Sequence, residues 1–365
     1  MIRHLYVHIP FCPKICPYCS FYKEASDRNK TQRFLDAVLT ELDAAQKVYD
    51  IQPETIFFGG GTPTALSTKQ LNYLLENLRS RLDLSQLREW TLEMNPATVS
   101  LEKATRLREL GVNRVSMGVQ AWDEATLKTL GRVHSSEQAH RSYQILREAG
   151  FTNINLDLIF GTPGQNAEVW FSNLQRTIEL KPNHISAYCL TYEEDTDFFQ
   201  RFQSGEFHQD DNADADLYEG SIEMLESAGY TQYETSNYAQ PGYECDHNMA
   251  YWLGKDYLGL GPSAFSTVGE NRWKNLPDTS VYCQLIESCG EAKSFHESVT
   301  PEIHQSELVA FGLRTNRGVE LSQLEMHLQQ IDRLTSDGFL TQSSNRIFLT
   351  KQGRLVADSV AELLI

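Results

Sequence analysis

Three features are missing from the 365-residue sequence, and each absence excludes a class of protein. No run of roughly 18–20 consecutive apolar residues is present, which argues against a membrane-spanning helix. The N-terminus lacks an apolar segment followed by a small-residue cleavage site, so a secretory signal is not expected. With 32 Lys and Arg against 49 Asp and Glu, a formal charge of −17, the chain also lacks the basic excess used to bind nucleic acid phosphates. We therefore expect a cytoplasmic protein without a nucleic acid partner or a transmembrane segment, and peripheral membrane contact stays open.

Cysteine is scarce, and its number is odd. The sequence has seven cysteines, three of which lie within eight residues: Cys12, Cys16 and Cys19. The other four are scattered without pairing cues, at Cys189, Cys245, Cys283 and Cys289. A disulfide-stapled miniprotein is thus excluded. In a cytoplasmic chain, a tight cysteine cluster indicates metal binding or catalysis before it indicates disulfides.

Up to about residue 195, apolar stretches typical of strands alternate with amphipathic stretches. Runs rich in β-branched, aromatic and aliphatic residues predict six strands: Leu5–Ile9, Thr55–Phe58, Trp90–Met94, Arg114–Val119, Ile154–Phe160 and His184–Leu190. Between them, apolar residues recur at helical spacing, for example at Leu71, Leu74, Leu75 and Leu78. This alternation predicts right-handed βαβ units and a parallel sheet.

Six units are fewer than the eight of a complete barrel. The sequence therefore predicts an α/β fold with a partial, six-stranded (β/α)6 barrel similar to a TIM barrel. In such barrels the site is assembled from loops that follow the carboxyl ends of the strands. Polar and glycine-rich residues at those strand ends are the functional candidates.

The alternation weakens after about residue 196. A polar stretch leads into a helical segment at Leu217–Ala228, and an aromatic, glycine-rich region runs from Tyr230 to Phe265. We predict two domains: residues 1–230, containing the barrel, and a smaller α+β domain of residues 231–365.

The end of the second domain has the order helix, hairpin, helix. The hairpin strands are predicted at Phe339–Thr341 and Arg346–Thr350, and a terminal helix follows. This order is similar to a winged helix. Because the chain is acidic, we expect a structural or partner-docking role for this unit rather than DNA binding.

The cysteine cluster directly follows the first predicted strand. Cys12, Cys16 and Cys19 are separated by three and then two residues, so one loop can bring three thiolates together. Iron–sulfur clusters are held by thiolates on short loops. A structural zinc site is the alternative, but it usually takes four protein ligands, commonly as separated Cys-x-x-Cys pairs, and no second pair is present. Three ligands on a four-iron cluster leave one iron open to a small molecule.

The segment from Cys12 to Cys19, with Tyr18 before the last cysteine, resembles the loop of the radical S-adenosylmethionine (SAM) superfamily. The resemblance implies a [4Fe-4S] cluster on Cys12, Cys16 and Cys19. It also implies that SAM chelates the open iron and that the reduced cluster cleaves SAM to a 5′-deoxyadenosyl radical. Tyr18 would lie against the adenine side of SAM.

The ends of the later strands carry candidate ligand-binding residues. Gly59 to Pro63 reads Gly-Gly-Gly-Thr-Pro, which exposes backbone amides, although a glycine-rich tight turn is the alternative interpretation. Asp157 lies in an otherwise apolar strand and needs a partner or a ligand, because an unpaired buried charge is costly. The resemblance assigns SAM contacts to nine residues: Tyr6, Tyr18, Gly60, Gly61, Thr62, Glu93, Gln120, Arg132 and Asp157.

Within the superfamily, these segments resemble the oxygen-independent coproporphyrinogen III dehydrogenase (HemN) group and its HemW relatives. Two departures favour the HemW relatives, which are heme chaperones. Phe21 stands where the dehydrogenase pattern has a further cysteine, and Tyr6 lies almost at the start, where the dehydrogenase has an N-terminal extension. The segment His247-Asn248-Met249-Ala250-Tyr251 matches the heme-binding motif of HemW. Imidazole is the commonest axial ligand of heme iron, and Tyr phenolate and Cys thiolate are alternatives. A structural histidine is the alternative for His247.

The sequence therefore predicts a chaperone that binds a [4Fe-4S] cluster, SAM and heme, with heme contacts at His247, Asn248 and Tyr251, and that transfers heme to apo-hemoproteins. An enzyme is the competing hypothesis, either a coproporphyrinogen dehydrogenase or a HemN-like radical methyltransferase. A barrel with only a structural metal is the third. The sequence decides neither whether SAM is cleaved nor which hemoprotein accepts heme. Classical dehydrogenase activity is the less favoured alternative.

Overall fold

A computed structural model describes residues 1–25 and 28–365. The strands of its first half are β1 (Ile2–Ile9), β2 (Phe11–Cys12), β3 (Glu24–Ala25), β4 (Ile51–Gly60), β5 (Glu89–Met94), β6 (Arg114–Gln120), β7 (Asn153–Phe160) and β8 (His184–Cys189). The helices are α1 (Arg28–Ala45), α2 (Thr68–Arg81), α3 (Leu101–Glu109), α4 (Glu124–Thr129), α5 (Ser136–Glu148) and α6 (Ala167–Glu179). All six predicted barrel strands are thus present, and a helical segment separates each from the next, as expected.

Six strands form a continuous parallel array in the order β1, β4, β5, β6, β7, β8. Their side chains are almost entirely buried because helices cover the sheet, as expected for parallel strands. Helix starts are set by local chemistry. At α2, for example, the Ser67 hydroxyl accepts from the Gln70 backbone N–H while the Gln70 side chain accepts from the Ser67 backbone N–H. The partial barrel predicted from the alternation is confirmed.

The second half continues the same sheet before it forms separate units. Its strands are β9 (Thr231–Gln232), β10 (Asn237–Ala239), β11 (Leu258–Leu260), β12 (Phe265–Val268), β13 (Asn271–Asn275), β14 (Lys293–Ser298), β15 (Val319–Glu320), β16 (Leu340–Ser343) and β17 (Arg346–Leu349). Its helices are α7 (Asp197–Gln203), α8 (Asp211–Ser227), α9 (Asp246–Trp252), α10 (Thr279–Cys289), α11 (Pro301–Leu313), α12 (Leu328–Ser336), α13 (Lys351–Leu355) and α14 (Ala357–Glu362).

Three strands beyond residue 230 belong to the barrel sheet. Strand β11 pairs in parallel with β1, with Leu258 opposite Leu5, and β10 and then β9 extend the other edge beyond β8. The sheet therefore has nine strands rather than six. The division of the chain at residue 230 stays a prediction, and the sheet runs across it.

The polar stretch that begins at Asp195 contains helical structure that the sequence pattern did not indicate. Helix α7 lies within it, and α8 begins at Asp211 rather than at Leu217. The Asp210 carboxylate accepts from the backbone N–H groups of Asn212 and Ala213. An acidic cap of this kind stabilises a helix start where no apolar periodicity is visible.

The C-terminal unit has a hydrophobic core of its own. Helices α11, α12 and α14 enclose it with the three-stranded sheet β15, β17, β16, and its buried residues include Val309, Ile331 and Ile347. The predicted order of helix, hairpin and helix is present in α12, β16, β17 and α13. Within the described part of the chain, no helix is long and apolar enough to cross a membrane.

Candidate functional site

One large cavity of about 1090 Å³ opens at the carboxyl end of the barrel strands. Its wall includes the three clustered cysteines and all nine residues that the resemblance assigns to SAM. The wall continues past the barrel to residues of the C-terminal half, among them Tyr257, Phe265 and Lys274. Drug-sized ligands occupy pockets of about 300–1000 Å³, so this cavity has room for more than one small ligand.

The three cysteines lie at one end of this cavity. Cys12 ends β2, and its Sγ lies 3.6 Å from the Thr62 hydroxyl, while Cys16 Sγ accepts from Arg132 Nη1 at 3.5 Å. Burial raises the pKa of both the Cys12 and the Cys19 thiol. A metal bound by these thiols would have to displace their protons.

Within residues 1–25 and 28–365, no three His, Cys, Asp or Glu side chains are arranged around a single metal ion. Three thiolates that bind a four-iron cluster each hold a different iron atom, so they need not converge on one point. The Cys12, Cys16 and Cys19 donor set on one loop, with an arginine beside it, therefore suits a cluster better than a single ion.

The glycine turn after β4 brings backbone close to the cavity. Gly60 has a φ of +101°, and a Cβ there would lie 2.5 Å from the His8 ring. Only glycine fits both the left-handed conformation and this close approach. The turn is therefore held against the His8 ring, with Gly60 and Gly61 on the cavity wall, as the predicted role in SAM binding requires.

Two carboxylates line the cavity from strands β5 and β7, which flank β6. Burial, and in second place the nearby Asp157, raises the pKa of Glu93 to about 8. The Asp157 carboxylate accepts from Asn155 Nδ2 at 2.7 Å and from the Ser116 hydroxyl at 3.1 Å. Glu93 is therefore mostly protonated at neutral pH, and a cationic ligand group beside it would favour loss of that proton.

Two further predicted residues carry buried polar atoms without a protein partner in the described structure. They are Gln120 Oε1 and Arg132 Nε. Gln120 has a φ of 68°, uncommon for a residue other than glycine, and its amide lies where a Cβ on Gly118 would overlap it. Buried polar groups are normally hydrogen-bonded, so both atoms point to a ligand or to water in the cavity.

Sequence reasoning missed the polar layer beneath Asp157. Asn155 Nδ2 also donates to Ser186 Oγ at 2.9 Å, and Ser186 Oγ donates to Asn237 Oδ1 at 2.6 Å. Asn155 lies two residues before Asp157 on the same strand face, so the alternation of side chains was the signal that could have revealed it. Arg114 is also buried on the cavity wall, and its Nε lies 4.0 Å from Glu89 Oε2.

Comparison with known proteins identifies the family. A family model of the radical SAM superfamily matches residues 6–171, and a model of the HemN C-terminal domain matches residues 299–356. The chain is 35% identical to heme chaperone HemW of Bacillus subtilis, with 98% of each chain covered. It is 34% identical to heme chaperone HemW of Escherichia coli, with 99% of this chain and 97% of that one covered. The chain belongs to the HemW family of radical SAM proteins.

A solved structure agrees with this assignment. The radical SAM enzyme coproporphyrinogen III oxidase (HemN) of Escherichia coli superposes with a TM-score of 0.86 at 26% identity, covering 100% of this chain and 90% of that one. The predicted superfamily and fold class are therefore confirmed. This chain and the HemN of Escherichia coli thus share one architecture.

The predicted HemW heme motif lies on helix α9, against the back of the cavity wall. Asn248 and Tyr251 line the cavity, but the His247 ring is 1% exposed and is not part of the wall. Its Nδ1 lies 2.7 Å from Thr55 Oγ1, and its Nε2 lies 2.9 Å from the Tyr251 hydroxyl. Burial, with smaller contributions from His4 and Arg114, lowers the pKa of His247 to about 3, so its ring is neutral.

Glu89 holds the start of this helix from the barrel floor. Its carboxylate accepts from the backbone N–H of Asp246 at 3.0 Å and of His247 at 3.3 Å, and from Cys245 Sγ at 3.4 Å. A carboxylate at a helix start satisfies amide groups that have no partner within the helix. Cys245 is fully buried in this contact, away from the cavity wall.

Proposed function

We propose that this chain is a heme chaperone. It would hold a [4Fe-4S] cluster on Cys12, Cys16 and Cys19, bind SAM next to the cluster, bind heme beyond it, and transfer heme to apo-hemoproteins. The observation that carries the proposal is the single cavity that runs from the three cysteines to Asn248 and Tyr251. Full-length similarity to proteins named heme chaperone HemW supports the same function.

The cluster end of the cavity suits its proposed ligands. Three thiolates on a cluster would bring negative charge, and the Arg132 guanidinium beside Cys16 offsets it. A bound cluster and SAM would together supply reductive cleavage of SAM to a radical. The protein's part is to fix the thiolates and to exclude water.

The residues proposed to bind SAM suit a ligand that carries both positive and negative groups. SAM carries an ammonium and a sulfonium group, which the Asp157 carboxylate would attract and whose positive charge would favour ionisation of Glu93. Gln120 Oε1 and Arg132 Nε offer hydrogen bonds that no described residue takes. The glycine turn at Gly60 and Gly61 presents backbone to the same space.

The far end of the cavity suits a large apolar ring with acidic groups. Tyr257, Phe265 and Phe311 line it, and Lys255 and Lys274 lie in the same wall. Neither lysine has a carboxylate within 4.0 Å among the residues that the structure describes, whereas Arg272 there is already paired with Glu307. A porphyrin has apolar faces and two propionates, so two unpaired lysines beside aromatic rings match its chemistry.

The structural similarity to HemN supports a second candidate, oxidative decarboxylation of coproporphyrinogen III. Against it, the residue two positions after Cys19 is Phe21, whose side chain is 66% exposed on the cavity wall. A thiol at this position belongs to the dehydrogenase pattern and is absent from this chain.

Two assays on the reconstituted protein separate the candidates. Incubation with SAM, a reductant and coproporphyrinogen III under anaerobic conditions should yield no protoporphyrinogen. Incubation of the heme-loaded protein with an apo-hemoprotein should move heme to the acceptor, as followed by the acceptor's absorbance. Decarboxylation of coproporphyrinogen III without heme transfer would contradict the proposed chaperone function and support the dehydrogenase instead.

A further inference from the structure

Both ring nitrogens of His247 already have hydrogen-bond partners within the protein. A histidine ring has two nitrogens, and here Nδ1 contacts Thr55 Oγ1 at 2.7 Å and Nε2 contacts the Tyr251 hydroxyl at 2.9 Å. The ring also stacks on Phe57, with centroids 5.2 Å apart. To bind iron, His247 would have to break a buried hydrogen bond and leave this packing, which costs the desolvation of the partner left behind.

Tyr251 is differently placed. It lies one helical turn after His247, at the (i, i+4) position on the same face of α9, and it lines the cavity. A phenol oxygen has two lone pairs and one proton, and contact with His247 uses one of these positions. No other hydrogen bond of this oxygen occurs within the described residues, so one lone pair is available. Tyrosinate is an established type of axial ligand to heme iron.

The other imidazoles in the cavity wall are less suited. His8 Nδ1 lies 3.0 Å from the Tyr6 hydroxyl, and His8 Nε2 lies 2.9 Å from the Tyr22 carbonyl, so both of its nitrogens are occupied. His304 is exposed at the rim, on helix α11. It is the competing ligand, and the experiment below includes it.

We propose that the Tyr251 phenol oxygen is the protein ligand of ferric heme and that His247 is a positioning residue that holds this oxygen by hydrogen bonding. The inference rests on the proposed function, because it requires heme as the cargo. The two ends of the His-x-x-x-Tyr motif then have different roles. Tyr251 would bind the heme iron, and His247 would hold the Tyr251 side chain in position from the side away from the cavity.

The hydrogen-bond chain behind Tyr251 accounts for the phenol proton. His4 Nδ1 lies 2.9 Å from Thr55 Oγ1, which extends the chain to Tyr251, His247, Thr55 and His4. Glu54, Arg88, Asp246 and Lys255 are the charged groups around His4. If the phenol oxygen bound ferric heme iron in place of a water ligand, its proton could pass to His247 Nε2, the Nδ1 proton to Thr55, the Thr55 proton to His4, and one proton from His4 to solvent. The iron would stay ferric, and both imidazoles would stay neutral.

The test compares the wild type with four variants loaded with ferric heme: Tyr251→Phe, His247→Gln, His304→Ala and Tyr243→Phe. Tyr243→Phe is the matched control, because Tyr243 shortly precedes α9 and is not in the cavity wall. Resonance Raman spectroscopy reports iron–phenolate modes, titration reports the heme Kd, and circular dichroism checks folding.

We expect phenolate modes in the wild type, in Tyr243→Phe and in His304→Ala. Tyr251→Phe should lose these modes and raise the Kd at least tenfold. His247→Gln should keep them at shifted frequency with weaker binding. Persistence of the phenolate modes in Tyr251→Phe would overturn the ligand assignment. Absence of these modes from the heme-bound wild type would also overturn it, and that result does not depend on whether any variant folds. Failure of the wild type to bind heme would instead overturn the proposed function.

Discussion

The Arg132 guanidinium lies between the cysteine loop and the end of strand β6. Its Nη1 is 3.5 Å from Cys16 Sγ, and its Nη2 donates to the Gly118 carbonyl at 2.8 Å. One side chain thus joins the cysteine loop to strand β6 and places a positive charge beside a proposed cluster ligand. A cationic group in this position attracts the negative charge that three thiolates on the proposed cluster would carry.

The Arg132→Met variant should therefore retain less cluster and bind SAM more weakly. We expect at least a tenfold rise in the SAM Kd, equivalent to about 1.4 kcal/mol. Iron and sulfide analysis after anaerobic reconstitution, followed by SAM titration, measures both effects. Arg33→Met is the control, because Arg33 forms a surface ion pair with Glu287 away from the cavity. Equal iron content and SAM affinity in the two variants would contradict the role given to Arg132.

Cys12→Ser should abolish the iron–sulfur absorbance. Serine is nearly isosteric but supplies no thiolate, so a four-iron cluster would keep only two cysteine ligands on this loop. The matched control is Cys289→Ser, because Cys289 is exposed at the end of helix α10 and lies outside the cavity wall. A normal cluster in Cys12→Ser would show that the ligand set is wrong.

Glu93→Gln should stabilise the cluster-free protein at high pH while weakening SAM binding. The pKa of Glu93 is about 8 in the fold against an ordinary value of 4.5. The folded state therefore binds the proton more tightly than the unfolded state. Between about pH 5 and pH 8 Glu93 is ionised in the unfolded chain but still protonated in the fold, so the free energy of unfolding falls as pH rises.

The glutamine variant lacks this loss. Its advantage over the wild type in urea unfolding should grow from pH 5 to pH 8 by about 3 kcal/mol. Glu226→Gln, on the exposed face of α8, serves as the control and should leave the pH profile unchanged. A pH-independent difference between Glu93→Gln and the wild type would contradict the account of the acidic pair.

Glu89→Gln should destabilise the protein by about 2–4 kcal/mol, because it leaves the buried Arg114 guanidinium without its nearest carboxylate and weakens the start of α9. Chemical denaturation of the cluster-free protein measures the change in unfolding free energy. Glu287→Gln breaks an exposed ion pair with Arg33 and should cost far less. Similar losses of unfolding free energy in the two variants would contradict a stabilising role for the buried Glu89 carboxylate.

The barrel was predictable because its strands are long and apolar, as at Asn153–Phe160, and because helices separate them regularly. The strands at the edges of the sheet were not predictable from the sequence. Strand β11 has three residues, and its partner β1 lies about 250 residues earlier, so no local pattern reports the pairing. Strands β9 and β10 are as short, and they pair next to β8 through tertiary contacts alone.

The candidate site was predictable in part for a similar reason. The cysteine spacing and the polar strand ends are local features, and all of these residues lie in one cavity. The motif spacing also places His247 and Tyr251 on one face of α9. Which of the two meets the cavity depends on how α9 packs on Thr55 and Phe57 of β4, and sequence spacing does not contain that information.

Heme titration of the wild-type protein tests the central claim most directly. It should be done on protein with and without its cluster, because the lysines and aromatic residues of the far end are separate from the cysteines. The account predicts saturable binding of about one heme per chain, with an affinity that His247→Ala weakens. Absence of saturable binding in both preparations would contradict it.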